Sequence, residues 1–121
     1  SHAINLQPDL LEAYHYRGIV RYGMKDLDGA LADYNKAISL GLKSSAVYFN
    51  RGVIFHQKGQ LSDAIESYSR SIEIDPSNAR AYYNRAISKL IVDNYKEALQ
   101  DLEISKRLGY SKAAEIISQY Y

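Results

Sequence analysis

The chain has 121 residues, a near-balance of 15 basic and 14 acidic side chains, 46% hydrophobic residues and no cysteine. That is enough apolar material for a packed core rather than a disordered chain. It leaves no concentrated basic patch for nucleic acid, no run of about 18 apolar residues to span a bilayer, and no thiol for a disulfide, a thiolate nucleophile or a cysteine-based zinc site.

Residues 3–10 read as the last turns of a helix, with Ile4 and Leu6 on its apolar side and Pro8 as its stop. The same pattern returns 68 residues later: Ile4 falls on Ile72, Pro8 on Pro76, Ala13 on Ala81, Tyr14 on Tyr82 and Arg17 on Arg85. Residues 1–10 are therefore expected to be the tail of a truncated preceding unit of a longer protein, with Ser1 and His2 a cloning remnant. Three full units follow without insertion or deletion, at 11–44, 45–78 and 79–112. Each holds two helical stretches, and no strand is expected. In the first, Gly41 closes the second helix. In the second, SSAVYFNRGVIFHQKG opens on serines suited to capping and ends at Gly59, and QLSDAIESYSRSIEIDP carries Leu61, Ala64, Ile65, Tyr68, Ile72 and Ile74 as one apolar stripe before Pro76. The third ends at Gly109, and residues 113–121 are expected to begin a following or capping helix.

The period is 34 residues, and it aligns Tyr14, Tyr48 and Tyr82; Arg17, Arg51 and Arg85; Gly18, Gly52 and Ala86; Ala30, Ala64 and Ala98; and Tyr34, Tyr68 and Leu102. Two helices approach closely only where small residues meet. Gly18, Gly52 and Ala86 are expected to face Ala30, Ala64 and Ala98, with Tyr34, Tyr68 and Leu102 filling the space alongside. The aromatic content, twelve tyrosines against two phenylalanines and no tryptophan, means that nearly all aromatic bulk carries a polar tip needing a partner.

The period, the opening tyrosine, the Gly/Ala column, the later alanine, the Tyr column and the proline after the second helix together resemble the tetratricopeptide repeat. Arg17, Arg51 and Arg85 depart from it by replacing an apolar residue, and the proline is missing from units one and three. The resemblance implies an all-α, right-handed superhelix, an α-solenoid of antiparallel helix–turn–helix repeats whose first helices line a concave groove.

The search for chemistry finds no catalytic constellation. His15 and His56 have no second histidine at helical spacing, so they read as polar groove residues rather than metal ligands. The DLDG stretch at 26–29 lacks the later oxygen ligands and closing glutamate of a calcium loop. Phosphate-binding glycine motifs and a nucleophile elbow are absent. No metal, cofactor or enzymatic activity is expected. The repeated arginines have two readings. Sixteen residues after each stands Asp33, Ser67 or Asp101, which predicts ion pairs Arg17–Asp33 and Arg85–Asp101 within a hairpin, with Arg51 the exception. The alternative is a ladder of cations for an acidic ligand.

Helical spacing turns Glu12, His15, Tyr16, Ile19 and Tyr22 of unit one toward the groove. In unit two the groove residues are Phe49, Asn50, Val53, His56 and Gln57; in unit three, Arg80, Tyr83, Asn84, Ile87 and Ile91. Some members of the family hold the C-terminal carboxylate of chaperones with Lys, Asn and Arg. Here those positions read His15, Ile19, Asn50, Arg80 and Asn84, and only Asn50 and Arg80 agree. The expected function is a non-catalytic protein–protein interaction scaffold that binds a peptide or helix of a partner through Tyr16, Phe49, Asn50, Arg80, Tyr83 and Asn84. Neither nucleic acid nor a membrane span is expected. The rival reading is a structural array that self-associates into a homo-oligomer, with Ile116, Ile117, Tyr120 and Tyr121 as the adhesive end.

Overall fold

The computed structural model describes residues 2–121, with side chains from Leu10 onward. Seven helices and no strand are found among these residues: α1 (His2–Gly23), α2 (Leu27–Ser39), α3 (Ser45–Gln57), α4 (Leu61–Ile74), α5 (Ala79–Ile91), α6 (Tyr95–Arg107) and α7 (Ser111–Tyr120). Helices α1/α2, α3/α4 and α5/α6 form antiparallel hairpins, and α7 packs on α6. The hairpins stack into a right-handed α-solenoid.

Each hairpin turns the same way. Lys25, Gly59 and Asp93, one repeat apart, all adopt positive φ, at 64°, 76° and 64°. The amide that follows each returns to the carbonyl five residues back: Asp26 to Arg21, Gln60 to Phe55 and Asn94 to Lys89, each at 2.8 Å. This closes the first helix by satisfying a carbonyl that would otherwise be orphaned. Between units, Gly41 and Gly109 take positive φ, as their place at a helix end predicts. New helices start on side-chain caps, with Ser44 accepting from the Val47 amide and Asn78 from that of Ala81.

Two departures from the expected pattern stand out. First, α1 continues through Pro8, so no turn separates residues 2–10 from the first unit. A proline inside a helix forfeits a hydrogen bond at a cost of roughly 3 kcal/mol. The flanking Leu6, Gln7, Leu10, Leu11, Glu12 and Ala13 favour helix. Ser1, read as part of a cloning remnant, lies outside the described residues. Second, α7 starts at Ser111, 32 residues after the start of α5 rather than the 34 that separate α5 from α3. The buried residues agree: Val47 and Ala81 are one period apart, and Ala113 follows Ala81 by 32.

The small-residue column works differently from the expected Gly-to-Ala contact. A Cβ added to Gly18 would lie 2.8 Å from Tyr34 Cε1, and one added to Gly52 only 2.5 Å from Tyr68 Cε1. The tyrosine ring thus lies directly on the glycine. In unit three both partners change together: Ala86 carries the methyl, and Leu102 is the smaller neighbour in a core with Ala98 and Ala113. The first core is Ala30, Leu31, Tyr34, Val47 and Ile54. Buried serines tie the helices further: Ser71 Oγ donates to Ser45 O at 2.9 Å and Ser105 Oγ to Ala79 O at 2.8 Å.

Candidate functional site

The arginine column is committed to holding hairpins together. Arg17 grips Asp33 with two hydrogen bonds, Nε to Oδ2 at 2.9 Å and Nη2 to Oδ1 at 2.7 Å, and Arg85 grips Asp101 with the same pair of distances. Both carboxylates are almost fully buried. Each meets a second cation from one turn further along the first helix: Arg21 Nη1 stands 3.3 Å from Asp33, and Lys89 Nζ 2.9 Å from Asp101. The Arg17 guanidinium, chiefly through its hydrogen bond, holds the Asp33 carboxyl below the usual aspartate range. In unit two the whole cluster is exchanged. Ser67 replaces the aspartate, Phe55 replaces the second cation, and Arg51 donates to Ser67 Oγ (3.1 Å), Asn35 Oδ1 (3.0 Å) and Glu66 Oε1 (3.4 Å). A carboxylate buried without both cations is costly, so its loss and the loss of the second cation go together. Arg51, expected to lack a partner, has three. Each guanidinium also covers the tyrosine one turn before it, at 5.3 Å over Tyr14, 5.0 Å over Tyr48 and 5.7 Å over Tyr82. These contacts replace the cation-ladder reading.

The groove residues fall into four groups. Phe49 and Arg80 form one pair: the guanidinium lies 5.3 Å over the Phe49 ring, whose other neighbour is Tyr68 at 5.7 Å. Tyr83 and Asn84 line a hollow of about 250 Å3 with Val53, His56, Gln57, Tyr68 and Ile87. Tyr16 stands apart from that hollow, exposed and stacked on His15 at 5.5 Å. Asn50 lies beside the hydroxyl of Tyr34 and Asn84 beside that of Tyr68, each partly offsetting the burial that raises the two phenols, Tyr68 to about 12. The approach of Asn50 falls short of a formed hydrogen bond, and Tyr34 Oη is buried without a partner among the described residues.

Tyr68 was missed as a groove residue because its column reads as core filler. The signal available was its phenol, which needs a partner at one end. At the C-terminal end, Ile116 and Ile117 pack in part against Ala86, Ala98, Leu102 and Ala113 of their own chain. Of the four residues proposed as an adhesive end, Tyr120 and Tyr121 remain exposed, at 69% and 48%.

A family model described as TPR repeat matches residues 52–89. The tetratricopeptide-repeat domain of Arabidopsis OM64 superposes with a TM-score of 0.82 at 24% identity, covering 93% of this chain and 94% of that one. The first such domain of Spaghetti (RPAP3), bound to the HSP90 peptide SRMEEVD, gives 0.82 at 16% identity, covering 92% of this chain and 90% of that one. MamA gives 0.78 at 24% identity over 86% of this chain and 61% of its own. No curated protein matches the chain. Period, repeated columns, stacked hairpins and structural neighbours agree on the fold of a tetratricopeptide-repeat domain, and residues 52–89 match the repeat itself.

Proposed function

We propose that this chain is a non-catalytic interaction scaffold that holds a peptide or helix segment of a partner protein on its concave side. The observation that carries the reading is the hollow between α3 and α5. It is concave, bounded by Val53, Ile87, Tyr68 and Tyr83, and equipped with a few hydrogen-bonding groups at His56, Gln57 and Asn84, the mixture typical of binding sites. Phe49, Arg80, Tyr16 and Asn50 extend the contact surface along the first helices. A preformed groove spares the ordering cost that a flexible one would add on binding. A fold neighbour bound to a peptide supports the reading at the level of architecture.

Affinity capture from a cell lysate tests it, with wild type compared against Arg80→Ala/Asn84→Ala after circular dichroism confirms equal helicity. A protein retained by wild type and lost by the variant supports groove binding. Equal capture by both overturns it in favour of the self-associating array, which light scattering would show as mass rising with concentration.

A further inference from the structure

Successive steps of the array open successive hollows, and their chemistry changes along the repeat. Beyond the hollow at Tyr83 and Asn84 lies another of about 380 Å3, lined by Ile87, Leu90, Ile91, Tyr95, Ile116 and Tyr120. It is the same site one repeat later. Ile87, Leu90 and Ile91 occupy the places of Val53, His56 and Gln57. Once the two-residue advance of α7 is applied, Ile116 occupies the place of Asn84. Three hydrogen-bonding groups that the first helices contribute to the earlier hollow are thus replaced by aliphatic ones: histidine by leucine, glutamine by isoleucine, asparagine by isoleucine. Ile87 is a wall of both, so the two hollows adjoin.

The wall is fixed in place rather than loosely apposed. Tyr121 Oη donates to the Tyr95 carbonyl at 2.7 Å, and Tyr95 Oη donates to Asp93 Oδ1 at 3.0 Å. Leu90 and Ile116 rest on the third-unit core. Yet Ile91, Tyr95 and Tyr120 stay 53%, 56% and 69% exposed, with Val92 adjoining at 47%. A contiguous apolar face of this kind marks a contact site.

Charge decides what fits. No Lys, Arg, Asp or Glu lines either hollow. Of the first-helix cations nearby, Arg51, Arg85 and Lys89 are turned to Ser67 and Asp101 of the second helices, and Arg80 lies over the Phe49 ring outside the lining. A carboxylate or ammonium seated in either hollow would lose water and gain no counter-charge from the lining. Resting on the groove-binding reading above, we propose that the partner segment is uncharged over these two steps, offering hydrogen-bonding groups at the first and an aliphatic or aromatic side chain at the second.

The test is to pan a random-peptide phage library on the full chain and measure the selected peptides by fluorescence anisotropy. Peptides rich in Leu, Ile, Met or Phe and free of Asp and Glu are expected, and Ile91→Asp should weaken them roughly tenfold or more. Ile91 is half-exposed, so the variant should keep its helicity; Tyr120→Ser serves as a second probe of the same wall should it not. Selection of acidic peptides, or affinity unchanged by both variants, overturns the proposal. If Asn84→Ala weakens binding and Ile91→Asp and Tyr120→Ser do not, groove binding stands and this inference falls. If no peptide is enriched, or none responds to any of the three, both fall. If Ile91→Asp abolishes a dimer of the free chain instead, the face belongs to a second copy and the proposal is overturned.

Discussion

Arg85 reaches forward sixteen residues to Asp101, at 2.7 and 2.9 Å, and back sixteen residues to Ser69 Oγ, at 3.0 Å. Arg51 repeats the relationship with Ser67 ahead and Asn35 behind. One guanidinium therefore joins its own hairpin and the preceding one. Arg85→Ala should cost about 2–4 kcal/mol, because Asp101 would stay buried with Lys89 alone. Removing Asp101 as well should cost less than the two single losses added together. Urea unfolding followed by circular dichroism measures this, and simple additivity would refute the coupling.

Gly52→Ala should destabilise by about 1–3 kcal/mol, since the new methyl would press into the Tyr68 ring. Unit three supplies its own remedy, because alanine there is matched with leucine at 102. Gly52→Ala/Tyr68→Leu should recover part of the loss in a thermal melt, and a double variant worse than the sum would show that the ring does more than fill space. Ala64→Leu, at another fully buried position of the same hairpin, should lower the melting temperature with no such remedy.

Lys25 holds a left-handed conformation that Gly59 adopts without strain one repeat later. Lys25→Gly should therefore raise stability by about 0.5–1 kcal/mol, and Gly59→Ala should lower it by a similar amount. Chemical denaturation midpoints of the two variants should move in opposite directions; movement the same way would sink the argument.

Asp33 is held below its usual range by Arg17, so its stabilising effect is fully present above the unfolded aspartate value of about 3.9 and is lost as pH falls through the lower folded value. Asp33→Asn should accordingly be less stable than wild type at neutral pH, with the difference shrinking below pH about 4. A gap that stays constant across an acid titration would mean that the Arg17 contact does not set it.

Much of this arrangement is readable in the chain itself. The period places the hairpins, and the sixteen-residue spacing of Arg17 to Asp33 and of Arg85 to Asp101 identifies both ion pairs before any coordinates. What stays hidden depends on register and geometry. The two-residue advance of α7 leaves no mark in composition; it shows only when Ala113 is found buried at the place held by Ala81 and Val47. With a fixed period, Ile116 aligns with Tyr82 and the second hollow goes unseen. Pro8 is a strong local stop, yet the helix continues through it, flanked by residues that favour helix. The role of Gly52 is legible as smallness, but the choice of Tyr68 over Ala64 as its neighbour is a matter of ring direction, which spacing does not encode.

Because Arg51 and Arg85 each hold two successive hairpins, the step from one groove hollow to the next is gauged by the length of an arginine side chain. Shortening that gauge to lysine, whose single ammonium cannot form the same two-sided grip, would alter the pitch of the solenoid rather than merely weaken it. Under the proposed groove binding, the spacing at which a segment would present its successive side chains is a dimension written into these clasps between first and second helices.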